Sequence, residues 1–139
     1  MQAIVVTPVK DALEATLETV QAISDAKGVY DYWVFNDYST DQTKAALETA
    51  SKAKGFKLIH LEDVTSNPSP NYKTVLQLSQ KSALEAGLPL IVVESDVKIN
   101  PDTLESLVNF SNENPNVGLV GAITQDAEGK SKMLLQEHV

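Results

Sequence analysis

Glu94-Ser95-Asp96 sets two carboxylates one residue apart, directly after the apolar run Leu90-Ile91-Val92-Val93. The run reads as a buried parallel strand, and in open α/β sheets ligands gather beyond the carboxyl ends of strands. Acidic side chains there are costly to bury unless a cation or a donor-rich ligand meets them. Two carboxylates with one residue between them reach a single hard ion if the backbone turns. Mg²⁺ and Mn²⁺ take such oxygen ligands. Glu94 and Asp96 are therefore candidate metal ligands in a site for a phosphate-linked sugar. The alternative is a polar strand exit with two solvated acids.

A second strand exit supplies another candidate. Tyr32-Trp33-Val34-Phe35 is aromatic and β-branched, as strands are, and it ends in Asn36-Asp37-Tyr38-Ser39-Thr40-Asp41-Gln42-Thr43. Ser39, Thr40 and Asp41 read as caps for the helix that starts there. Asp37 precedes the cap and is expected to project over the carboxyl edge, where a carboxylate can accept the imide N–H of a base. The alternative for Asp37 is a turn residue closing the strand.

Three blocks together resemble the family 2 glycosyltransferases. They are Ile4-Val5-Val6-Thr7-Pro8-Val9-Lys10-Asp11, then Phe35 to Thr43, then Val93-Glu94-Ser95-Asp96-Val97 with Asn100-Pro101-Asp102-Thr103-Leu104. That family has a first strand ending in P-x-x-N-E, a D-D-G-S-T-D-x-T block, and a D-x-D before a P-x-x-L helix start. The resemblance implies a Rossmann-like GT-A fold and binding of a nucleotide-diphospho-sugar with Mn²⁺ or Mg²⁺. By position it implies that Asp37 contacts the base and that Pro8 and Val9 line its pocket. Asp11 stands where the family commonly has Asn. Asp96 takes the place of the metal ligand on the diphosphate, and Glu94 replaces the acid that contacts ribose or sugar, with Ser95 between them. Asn36 replaces an Asp, Tyr38 a Gly and Ala12 a Glu. The family's middle motif is not recognisable in Thr65-Ser66-Asn67-Pro68-Ser69-Pro70-Asn71-Tyr72-Lys73, where Lys73 either faces phosphates or is solvated.

Composition narrows the partners. The 139-residue chain carries 19 acidic and 11 basic residues, a formal charge of −8, and is 42% hydrophobic. It reads as one globular domain over residues 1–139. Such a charge should repel nucleic acid, and it should repel a nucleoside diphosphate unless a cation or local dipoles reverse the sign. No apolar stretch approaches the roughly 20 residues that cross a bilayer. No signal pattern follows Met1, so a cytoplasmic protein is expected, peripheral to a membrane only through a further carboxyl-terminal part. The absence of cysteine excludes disulfides, a thiol nucleophile and zinc–thiolate sites. His60 and His138 are too few and too far apart for a zinc cluster.

The elements that must hold these residues alternate. Strands are expected at 3–7, 32–35, 56–61, 90–93 and 117–123. Helices are expected from about Lys10 with Leu13, Leu17, Val20 and Ile23 on one face, from Asp41 to Lys54, from Tyr72 to Ala86, and from Pro101. Gly28, Gly55 and Gly87 are expected to close the first three in left-handed caps. The pattern predicts a three-layer α/β sandwich with a mostly parallel sheet, with the Asp37 and Asp96 strands on either side of the first. Neither G-x-G-x-x-G nor a Walker motif nor G-x-S-x-G occurs.

Family members carry an acceptor-binding half and a catalytic base beyond D-x-D. After Asp96 only a few dozen residues follow, and Asp126-Ala127-Glu128-Gly129 reads as a turn rather than a base. The chain therefore reads as the nucleotide-sugar half of a glycosyltransferase, with the acceptor a saccharide, a lipid-linked group or a protein. Two alternatives are a nucleotide-binding module without catalysis and an interaction domain of the same fold.

Overall fold

The computed structural model describes residues 1–123 and Gln125. Its strands are β1 (Ile4–Val9), β2 (Asp31–Asn36), β3 (Lys57–His60) and β4 (Leu90–Val92). Its helices are α1 (Leu13–Ser24), α2 (Asp41–Lys54), α3 (Tyr72–Ala86) and α4 (Thr103–Glu113), with a 3₁₀ turn at Leu61–Asp63. The four strands form one parallel sheet in the order β3-β2-β1-β4. The expected sandwich and the expected flanking of the first strand are both present.

Central position explains the composition of β1. Val5 and Val9 face one layer with Val20 and Ile23 of α1, Leu47 of α2 and Leu104 of α4. Ile4 and Val6 face the other, with Phe35, Leu61 and the α3 residues Val75 and Ala83. A strand covered on both faces reads as a continuous apolar run, as β1 does. Thr7 is fully buried within it, and its hydroxyl accepts the Tyr32 hydroxyl at 2.9 Å, which satisfies both groups.

Pro8 decides where the sheet splits. The β1–β4 ladder runs from the Ile4 N–H to the Pro89 carbonyl and from the Val93 N–H to the Val6 carbonyl. In a parallel ladder the next rung would join the N–H of residue 8 to the Val93 carbonyl, and proline has no N–H. Pairing with β4 stops there, while β1 stays paired with β2 through Pro8↔Phe35 and Val9↔Asn36. The chain after Val93 is free to turn away.

Two expectations are corrected. The 117–123 segment forms no strand; Leu119 is 91% and Ile123 67% exposed. Gly118 and Gly121 break the run of side chains that would pack, and a glycine costs more entropy to order than any other residue. A groove of about 520 Å³ separates residues 117–122 from β4 and α4. Gly28 also does not cap α1, which ends at Asp25 in right-handed geometry; Gly28 lies three residues on at φ 108°. Gly55 and Gly87 are left-handed caps as expected. The turn expected at Asp126–Gly129, and His138, lie outside the described residues.

Candidate functional site

Three strand ends meet at the carboxyl edge, because β2 and β4 both pair with β1. The β1 exit is bent by two consecutive left-handed residues, Asp11 at φ 54° and Ala12 at φ 49°. Non-glycine residues there cost about 1 kcal/mol each, so other contacts must hold them. The Asp11 N–H donates to Ser39 Oγ at 2.9 Å, and the Thr40 N–H donates to Asp11 Oδ1 at 2.8 Å. That main-chain donor is the main reason the Asp11 carboxyl sits below its ordinary range; desolvation opposes it, and the Thr40 and Thr43 side chains and the Lys10 charge add to it. The Asp37 N–H donates to the Val9 carbonyl at 2.8 Å, and the Lys10 ammonium donates to the Tyr38 carbonyl. The β1 and β2 exits are thus laced together.

The caps expected at Ser39 and Thr40 are spent differently. Thr40 holds the N-cap position of α2 without a side-chain cap bond, and the Ser39 hydroxyl crosses to Asp11. Helix capping and cross-loop anchoring use the same hydroxyl chemistry, and sequence alone does not separate them.

Asp37 is turned inward. It is 7% exposed, and three donors hold its carboxylate. Ser69 Oγ and the Asn71 N–H both reach Oδ2 at 2.8 Å, and Asn71 Nδ2 reaches Oδ1 at 2.8 Å. Burying a carboxylate is tolerable only with such charge-assisted bonds. Its neighbours differ. Asn36, 3% exposed, accepts the Ser39 N–H at 3.2 Å and donates to His60 Nδ1 at 3.0 Å, while His60 Nε2 faces Glu48 at 3.1 Å. Tyr38 takes φ 58°, the left-handed geometry its position demands, and its hydroxyl donates to the Thr65 carbonyl.

At the β4 exit, Glu94 to Val97 form a turn closed by the Val97 N–H on the Glu94 carbonyl at 3.2 Å. Thr19 Oγ1 of α1 donates to the Ser95 carbonyl at 2.9 Å and pins the turn. Glu94 and Asp96 are both exposed on it, and Ser95 is half-buried. The Tyr72 hydroxyl donates to Glu94 Oε1 at 3.0 Å. Among the described residues no cluster of three or more His, Cys, Asp or Glu could hold a metal unaided. The donor set suits an ion of the Mg²⁺ type, which is bound through one or two carboxylates, keeps several waters and takes substrate phosphate oxygens.

Pro8, Asp11, Glu94, Ser95 and Asp96 therefore surround one edge. Val9 does not face it, because its side chain is 1% exposed within the α1/α2 layer and only its carbonyl takes part. Lys73 is exposed. Sequence reasoning missed Ser69, Asn71 and Tyr72. Their one signal was a polar Ser-Pro-Asn loop opening a helix opposite an acidic strand exit.

The sequence model of a family described as Glycosyl transferase family 2 matches residues 4–138. No curated protein matches. The crystal structure of S. aureus TarS 1–349 superposes with a TM-score of 0.60 at 21% identity, over 83% of this chain and 33% of that one. The same fragment in complex with UDP gives 0.64 at 21% identity and the same coverage. The mannosyltransferase PcManGT from Pyrobaculum calidifontis, in complex with GDP-Man and Mn²⁺, gives 0.60 at 15% identity, over 79% of this chain and 32% of that one. This chain spans about a third of the length of these three structures. At these identities the likeness is one of fold.

Proposed function

Since the chain belongs to the family 2 glycosyltransferases, we propose that its carboxyl edge binds a nucleotide-diphospho-sugar with a divalent cation, for transfer of the sugar to an acceptor hydroxyl. One observation carries the reading: β2 and β4 flank β1, so the acidic turn at Glu94–Asp96 and the loop at Asp11–Thr40 open on the same edge. The base and ribose lie against Pro8, Asp11 and the segment gripped by Asp37. Ser95 and Glu94 face the sugar and diphosphate. Asp96, with Glu94, holds Mn²⁺ or Mg²⁺, whose charge offsets that of the departing diphosphate. The local excess of acid makes that ion necessary, because a diphosphate would otherwise be repelled. Positioning and charge stabilisation are the contribution of these residues to transfer.

Asp37 acts on the nucleotide through Ser69 and Asn71. Oδ2 already takes two donors and Oδ1 one, so a base N–H reaching the carboxylate would meet the remaining lone pair of Oδ1.

Calorimetric titration with UDP and with GDP, each in Mn²⁺ and in chelator, tests the proposal. Binding should be tighter with Mn²⁺, and Asp96→Ala should remove that difference. Binding equally tight in chelator would overturn the cation's role, and no binding of either nucleotide would overturn the site.

A further inference from the structure

Tyr72 touches the candidate cation turn from a helix with no acid in its first turn. It is the first residue of α3, and its hydroxyl reaches Glu94 across 22 positions of chain. The residue before it is Asn71, whose N–H and side-chain amide both hold Asp37, with Ser69 as the third donor. The backbone that launches Tyr72 is therefore fixed at a buried carboxylate, and its phenol ends on an exposed one.

From this geometry we propose that Tyr72 is a positioning residue for the cation. Its hydroxyl occupies Glu94 Oε1 and leaves the other oxygen to the metal. Glu94 and Tyr72 form a matched pair, since an aspartate at position 94 would be one methylene short of the phenol. Carboxylates that ligate metals are commonly oriented by such outer hydrogen bonds, and losing one typically costs about 10–100-fold in metal affinity. The pair also links the buried Asp37 to the exposed Glu94. Asp37 sets the start of α3, α3 sets Tyr72, and Tyr72 sets Glu94. The proposal rests on the reading of the carboxyl edge as a nucleotide and cation site.

The test compares Tyr72→Phe with the unaltered chain in both the Glu94 and the Glu94→Asp backgrounds. UDP and GDP are the probes, in Mn²⁺ and in chelator, and the unfolding midpoint of each variant is measured alongside. Tyr72→Phe should weaken Mn²⁺-dependent nucleotide binding by roughly 10-fold or more and leave binding in chelator unchanged. In the Glu94→Asp background the same change should have no further effect, which a double-mutant cycle reads directly. Equal losses with and without metal, or in both backgrounds, would make Tyr72 a structural residue and overturn the proposal. So would a Tyr72→Phe protein that binds in Mn²⁺ as the unaltered chain does, and that result would leave the site reading intact. Absence of metal-dependent binding in the unaltered chain would instead remove the reading, and the proposal with it.

Discussion

Asp37 and Asp11 are both carboxylates at strand exits, yet they act on the molecule in different ways. Asp37 is buried under three donors, so removing its charge leaves Ser69 and Asn71 with weakened or missing partners inside the protein. Hydrogen bonds to a buried charge are worth about 1.5–3 kcal/mol each. Asp37→Ala should therefore lower stability by about 3 kcal/mol or more in urea unfolding, and weaken nucleotide binding with or without metal. Unchanged stability would mean that segment 65–71 does not depend on that grip. Asp11 is a surface carboxylate whose folded-state pKa is depressed, chiefly by the Thr40 N–H. A depressed carboxylate stabilises the fold above its unfolded pKa, near 3.8 here, and that contribution is lost as pH falls through the lower folded value. The stability gap between the native protein and Asp11→Ala should be full at neutral pH and shrink below about pH 4. A gap that widened in acid would reverse the assignment.

Among the elements, Pro8 shapes the cleft through the backbone. Replacing it with alanine supplies the N–H that could pair with the Val93 carbonyl, a bond worth about 1 kcal/mol. It also frees the unfolded chain, which costs about 0.4–1 kcal/mol. These nearly cancel, so Pro8→Ala should unfold within about 1 kcal/mol of the native protein. Its β4 exit should nonetheless be drawn toward β1, and nucleotide affinity should fall. An unchanged affinity would show that the split does not depend on the missing rung. The alternation of elements was legible in the sequence because each pattern is local. Short apolar or aromatic runs named β1 to β4, helical spacing and start signals named α1 to α4, and Gly55 and Gly87 marked caps wherever the helix ran up to them. Gly28 misled because α1 stops three residues earlier, and residues 117–123 misled because apolar content without a pairing partner does not make a strand. At the site, the acids were visible as types and their partners were not. Asn71 meets Asp37 across 34 positions, and Tyr72 meets Glu94 across 22, through packing that no spacing rule encodes.

For the whole molecule, a charge of −8 and a central β1 set the terms on which the cleft exists. No helix among the described residues is long and apolar enough to cross a membrane. One side of the cleft is β1, β2 and β3, paired over six positions and then four. The other side, β4, pairs with β1 over three positions and begins 81 residues after β1 ends. Contacts so remote in sequence close late and open readily. The cleft thus straddles a seam between a more cooperative unit and a detachable strand. In native-state hydrogen exchange, amides of Leu90 to Val93 should exchange by a lower-energy opening than those of Val5 and Val34. A nucleotide bridging the seam should slow the β4 amides more than those of β2, as a clasp holds the loose edge more than the fixed one. Uniform protection across the sheet would place all four strands in one unfolding unit. A clasp of this kind would make the bound nucleotide a structural member of the sheet, so that departure of ligand and loosening of β4 become one event.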